Sequence, residues 1–202
     1  MLDRFITPVI RPAVVAIAAG LARRGVSADQ VTFTAFGIGV VAMVCITLQA
    51  YIAGAILILV SRLCDALDGA VARQTKATDS GGFLDISLDF LFYAGIVLAF
   101  ALSAPQANAL PAAVLLTSFI GTISSFLAFA ALAAKRGIQS MEYPDKSFYF
   151  LGGLAEATET LLFFVAMCFW PRYFAPLAYG FAFICVITTF TRIVGGYQTL
   201  KN

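Results

Sequence analysis

Hydrophobic residues fill most of this chain in long, nearly uninterrupted runs. Six of these runs are long enough, at about 20 residues each, to cross a membrane as helices. They cover residues 30–50, 52–74, 82–103, 110–134, 147–169 and 175–197. The pattern predicts an all-α integral membrane protein, in which residues 26–202 form one domain with six transmembrane helices.

The first 25 residues follow a different pattern, because apolar and charged side chains alternate there at helical spacing. The apolar set includes Leu2, Phe5, Val9, Val14 and Ile17. No convincing signal-peptide cleavage site follows, so we predict that residues 1–25 form an amphipathic helix lying in the membrane interface. Ser27 and Gln30 then have the spacing of a capping box, which would open the first spanning helix.

Composition supports the membrane assignment. Of the 202 residues, 61% are hydrophobic and 12% are charged, whereas a soluble domain has about 45–50% apolar and about 25% charged residues. The chain has four cysteines without CxxC spacing and no histidine, which argues against zinc sites and disulfides. We expect membrane lipids as partners and no nucleic acid.

The distribution of basic residues predicts the topology. With a cytoplasmic N-terminus, six spans return the C-terminus to the cytoplasm, and only Arg172 lies outside. The basic residues then on the cytoplasmic side are Arg4, Arg11, Arg23, Arg24, Arg73, Lys76, Lys135, Arg136, Lys146 and Lys201. This satisfies the positive-inside rule. We therefore expect both termini and the active site on the cytoplasmic face of a bacterial or archaeal cell (inner) membrane.

Four aspartates interrupt the second and third apolar runs. Asp65 and Asp68 are three residues apart and Asp85 and Asp89 are four apart, so each pair lies on one face of a helix. One carboxylate at membrane depth costs roughly 2.5–3.5 kcal/mol, and four close together would repel each other. Hard divalent cations relieve that repulsion, because they bind carboxylate oxygens. We hypothesise a dinuclear Mg²⁺ or Mn²⁺ site that faces phosphates.

These aspartates belong to a longer motif that resembles the signature of the CDP-alcohol phosphotransferase (CDP-alcohol phosphatidyltransferase) family. The matching positions read Asp65-x2-Asp68-Gly69-x2-Ala72-Arg73-x7-Gly81-x3-Asp85-x3-Asp89. The match has one departure, since seven residues separate Arg73 from Gly81 and the commoner number is eight. Gly82 would restore eight but break the spacing to Asp85, so the motif glycine is either Gly81 or Gly82.

The resemblance implies a reaction of phospholipid synthesis. A phosphatidyl group would pass from CDP-diacylglycerol to a small hydroxylated acceptor, with release of CMP. The resemblance makes Asp65, Asp68 and Asp85 the principal metal ligands and Asp89 the general base, with a further metal contact. Two metal ions about 3.5–4 Å apart can stabilise the attacking and leaving oxygens together.

The resemblance also implies a nucleotide pocket beside the metals. Arg73 has the chemistry to pair with the diphosphate. Gly69 and Ala72 are small enough for a cytidine ring to approach the helix, although on their own they equally fit close helix packing. The residues expected around the donor nucleotide are Asp65, Gly69, Ala72, Arg73, Asp79, Ser80 and Gly81.

The acceptor site is less defined. The family holds phosphate-bearing acceptors with basic residues, and the candidates here are Arg62, Arg136, Lys146 and Arg192. Lys135 and Arg136 equally fit a role in topology alone. Arg192, inside the last run, could instead pair with Glu156 or Glu159, because an intramembrane arginine usually has a partner.

Two other functions remain open from the sequence. Intramembrane aspartates also occur in ion- or proton-coupled transporters, although no internal repeat is evident here. A CDP-choline-type enzyme with diacylglycerol as acceptor would share the motif. The acceptor could be a polyol, a polyol phosphate or serine. The family tends to dimerise, so a homodimer is expected.

Overall fold

The computed structural model describes residues 3–136 and 154–201, and every regular element in these two ranges is helical. Seven α-helices and one short 3₁₀ turn, Pro171–Tyr173, follow each other in this part of the chain. The α-helices are α1 Asp3–Arg23, α2 Ala28–Thr47, α3 Tyr51–Gln74, α4 Asp79–Ser103, α5 Pro105–Lys135, α6 Ala157–Phe169 and α7 Phe174–Lys201. The all-α prediction is therefore confirmed.

The helices α2 to α7 lie at the six hydrophobic runs, and all but one of their ends lie within five residues of those expected. The exception is the start of α6, which begins at Ala157, ten residues after the expected start. The start expected for the fifth run, residue 147, lies outside the described residues. Four segments in the described part are long and apolar enough to cross a membrane: α2, α4, α5 and Pro171–Lys201. Helix α3 has 24 residues but contains Arg62, Asp65 and Asp68. The count of six spans stays a prediction.

Local sequence explains where two helices of the site begin. Ser27 and Gln30 form the expected capping box at α2, since Ser27 Oγ accepts from the Gln30 backbone N–H and Gln30 Oε1 accepts from that of Ser27. At α4, Thr78 Oγ1 accepts from the Gly81 N–H at 3.1 Å. Both caps satisfy backbone donors that have no partner within the helix.

The main core lies between α2–α7 and is rich in phenylalanine. Phe92, Phe100, Phe164, Phe174 and Phe181 are fully buried. The rings of Phe100 and Phe174 stack at 4.9 Å between centroids, which joins α4 to α7. A second, smaller cluster joins α1 to α3 through Ala18, Ala70 and Val71. Helix α1 is thus attached to the helix that carries the first aspartate pair, while its interfacial position stays a prediction.

Candidate metal and nucleotide site

Helix α2 brings the two acidic helices together, because it packs against both α3 and α4. Ser61 Oγ of α3 donates to the Ala35 carbonyl of α2 at 2.8 Å. Gly39 of α2 permits the approach of α4, since a Cβ there would lie only 2.6 Å from Phe92 Cδ2. The aspartates of α3 and α4 consequently converge beside α2.

Asp65, Asp68 and Asp85 form the centre of the site. One carboxylate oxygen from each lies within 4.8 Å of the other two. Such a group of oxygen ligands, with no nitrogen or sulfur, suits a hard divalent cation. A cation among the three carboxylates would offset their repulsion. The residues present therefore fit Mg²⁺ or Mn²⁺, and their role as ligands stays a prediction.

Asp68 is held from the opposite side by α2. Thr32 Oγ1 lies 2.6 Å from Asp68 Oδ2 and 3.1 Å from the Ala28 carbonyl oxygen. A hydroxyl has one proton, and the shorter contact with a carboxylate is the stronger hydrogen bond. Thr32 is 4% exposed and Asp68 is 6% exposed. This buried contact fixes one Asp68 oxygen.

Asp89 lies outside the group of three and binds an arginine. Its Oδ1 accepts a hydrogen bond from Arg62 Nη1, and the same nitrogen lies 3.4 Å from Asp65 Oδ2. The structure divides the four aspartates of the motif into three clustered carboxylates and one, Asp89, that lies outside the cluster and is bonded to Arg62. The role of Asp89 as general base and metal contact stays a prediction.

A cavity of about 240 Å³ opens beside the carboxylates. It is lined by Ala28, Asp29, Thr32, Asp68, Gly69, Ala72, Arg73, Lys76, Ala77, Thr78, Gly81, Gly82 and Asp85. Four of the residues expected at the nucleotide, Gly69, Ala72, Arg73 and Gly81, are among them. Asp65, Asp79 and Ser80 do not line this cavity. The volume is just below the roughly 300–1,000 Å³ of drug-sized sites.

The two candidate motif glycines differ in their surroundings. A Cβ at Gly81 would lie 3.1 Å from both Asp29 Oδ1 and Thr78 Oγ1, whereas one at Gly82 would have no atom within 4 Å. Position 81 is therefore the crowded one, at the contact between the start of α4 and the start of α2. This favours Gly81 as the position that requires glycine.

The four acceptor candidates lie in different surroundings. Arg62 is directed to the carboxylates, and Arg136 is exposed directly after α5. Arg192 Nη1 donates to the Thr122 carbonyl at 3.2 Å, with its guanidinium 5.7 Å from the Phe126 ring centroid. Lys146 lies outside the described residues.

Sequence reasoning missed four polar residues of the cavity: Asp29, Thr32, Lys76 and Thr78. Lys76 was assigned only to topology, although its position two residues after α3 places it at the turn between the acidic helices. Asp29 follows the recognised cap of α2 by two residues. Thr32 had no usable signal, because a threonine in an apolar helix commonly bonds to its own backbone.

Comparisons with known proteins identify the family. The family model described as CDP-alcohol phosphatidyltransferase matches residues 26–192. The chain is 52% identical over 202 residues, 98% of the relative's length, to the inner membrane protein YnjF of Escherichia coli (strain K12). It is also 38% identical over 98 residues, 52% of the relative's length, to an archaetidylinositol phosphate synthase of Pyrococcus horikoshii.

A solved structure has the same fold. It is the Mycobacterium tuberculosis phosphatidylinositol phosphate synthase (PgsA1) with CDP-DAG bound, with a TM-score of 0.67 and 21% sequence identity. The similarity covers 91% of this chain and 93% of that one.

Proposed function

The chain belongs to the CDP-alcohol phosphatidyltransferase family, and on that premise we propose that it transfers a phosphatidyl group from CDP-diacylglycerol to a small hydroxylated acceptor. CMP would leave, and the new lipid would remain in the membrane. The membership confirms the resemblance drawn from the motif. It also disfavours the transporter alternative, because a family of transferases gives the aspartates a chemical role.

One observation carries the proposal: the three clustered carboxylates adjoin a cavity whose walls combine small and basic residues. Asp68 and Asp85 belong to both the cluster and the cavity lining. Gly69 and Ala72 would leave room for the cytidine ring, and Arg73 and Lys76, which also line the cavity, would supply positive charge for the diphosphate. Phosphoryl transfer depends mainly on such positioning and charge stabilisation.

The residues have separate tasks in this proposal. Asp65, Asp68 and Asp85 would hold the divalent ions, which when bound stabilise the charge that develops on the transferred phosphate. Asp89 accepts the proton of the acceptor hydroxyl, for which it must come within about 2.6–3.2 Å of that oxygen. Arg73 and Lys76 orient the diphosphate so that the CMP side can leave.

The acceptor is proposed to be a polyol phosphate, with free polyols and serine as alternatives. The supporting observation is that the archaeal relatives are named archaetidylinositol phosphate synthases and the structural neighbour a phosphatidylinositol phosphate synthase. Arg136 and Arg192 are the candidates for its phosphate, because Arg62 already has two carboxylate partners. Cytoplasmic orientation of the site and a homodimer remain part of the proposal.

The decisive experiment uses purified full-length protein in detergent with CDP-diacylglycerol, Mg²⁺ and a panel of acceptors. The panel contains inositol phosphate, glycerol phosphate, inositol and serine, and the readout is CMP release together with the lipid product. Protein stripped with EDTA should release no CMP, and Mg²⁺ or Mn²⁺ should restore release. Turnover without metal would refute the metal site. Turnover only with CDP-choline and diacylglycerol would identify the protein as a CDP-choline-type enzyme instead.

A further inference from the structure

Arg62 is the basic residue most closely associated with the candidate metal site. It precedes Asp65 by one helical turn on α3, and its side chain is 11% exposed. Its Nη1 contacts both Asp65 Oδ2 and Asp89 Oδ1. A single positive charge therefore lies between a clustered carboxylate and the one outside the cluster.

The guanidinium is held in that position by its surroundings. Its Cζ lies 3.8 Å from the ring centroid of Phe92, which is fully buried, and 5.9 Å from that of Tyr93. Arg62 Nη2 lies 3.3 Å from Ser61 Oγ. An arginine that stacks on a buried ring is more restricted than a surface side chain. Arg62 is therefore a fixed charge of the site.

This fixed charge changes how many divalent ions the carboxylates can accept. Asp65, Asp68 and Asp85 offer three oxygens to a first ion. Any further ion that used Asp65 or Asp89 would have to share that carboxylate with the guanidinium, which contacts both. Arg62 and a divalent ion repel each other because both are positive. The negative charge of Asp89 is already balanced by the guanidinium of Arg62.

We propose that Arg62 is a built-in counter-cation of the aspartate cluster, a positioning residue that holds Asp89 and limits the substrate-free site to one divalent ion. The second ion of the two-metal reaction then binds only with the nucleotide diphosphate, whose negative charge offsets the added positive charge. This inference rests on the proposed function, since it concerns the ions that the transfer uses.

The test is an Mn²⁺ titration of the purified full-length protein, followed by electron paramagnetic resonance of free Mn²⁺. We expect one tightly bound ion without nucleotide and two with CDP. Arg62→Gln should bind two ions without CDP, because Asp89 has lost its counter-charge. Arg62→Lys keeps the charge and should again bind one. Two equally tight ions in the unmodified protein without CDP, or one ion in Arg62→Gln, would overturn the proposal.

Should Arg62→Gln fail to fold, the unmodified protein and Arg62→Lys still test the proposal. Two equally tight ions in either protein without CDP, or no additional ion when CDP is added, would refute the inference. Ion counts are measured without turnover. Failure of the transferase proposal would instead appear as absent CMP release in the acceptor panel.

Discussion

The contact between Thr32 and Asp68 allows a quantitative test of the metal site. Thr32→Val removes the hydroxyl and keeps the branched shape, so a buried carboxylate loses the hydrogen bond that it accepts at 2.6 Å. A hydrogen bond to a charged group contributes about 1.5–3 kcal/mol, and about 1.4 kcal/mol corresponds to a factor of ten in affinity. If the bond serves mainly to orient Asp68 for the ion, Mn²⁺ affinity should fall about 10–100-fold, the range found for residues that orient metal ligands.

Two variants control this measurement. Thr32→Ser restores a hydroxyl and should return the affinity to near that of the unmodified protein. Thr34→Val removes a hydroxyl two residues away on α2, where Thr34 Oγ1 donates to the Gln30 carbonyl at 2.7 Å on an exposed face, and should leave the affinity unchanged. Binding is measured by calorimetry in detergent beside a thermal melt. Unchanged or tighter Mn²⁺ binding by folded Thr32→Val would refute the orienting role.

Three further outcomes are expected. Asp89→Asn should lower kcat by about 10²–10⁴-fold, the contribution of general-base catalysis, and a near-normal kcat would exclude Asp89 as the base. Gly69→Leu should abolish CDP binding measured by calorimetry. Its melting temperature should change little, because a Cβ at this position meets only Arg73 Nη1, at 3.3 Å. Gly37→Leu, where a Cβ has no atom within 4 Å, is the matched control, and equal CDP affinity in both variants would contradict the pocket. Arg192→Gln should raise KM for a phosphorylated acceptor by one to two orders of magnitude, about 1.4–2.8 kcal/mol, while CDP-diacylglycerol binding holds; equal losses for both substrates with a lower melting temperature would indicate a structural role.

The helices could be predicted from the sequence because their signal is local. A run of about 20 apolar residues is needed to cross a membrane, and such runs stand out wherever the fold places them. The pairing of Asp65 with Asp68, and of Asp85 with Asp89, is also local, since spacings of three and four share a helix face. The family motif added the expected roles, and the comparisons confirmed the family.

The contacts between helices could not be predicted from the sequence in this way. Helix α2 has only one charged residue, Asp29 in its first turn, so nothing in its composition marks it as the helix that joins α3 to α4. Its contribution depends on Gly39, which admits Phe92, and on Thr32, which contacts Asp68. Neither residue has a distinctive signal in the sequence. The role of each depends on a contact with a neighbouring helix.

The position of Arg62 shows why spacing alone does not assign chemistry within the motif. Asp65 and Asp89 are 24 residues apart, and a pattern of acidic residues predicts only that both face the site. The structure places one guanidinium between them, in contact with both carboxylates. Asp89 differs physically from the three clustered aspartates before any substrate binds, because it lies outside their group and accepts a hydrogen bond from Arg62. The four aspartates of the motif therefore lie in two environments. Asp65, Asp68 and Asp85 form a group suited to a cation, whereas Asp89, the proposed base, is held in place by Arg62.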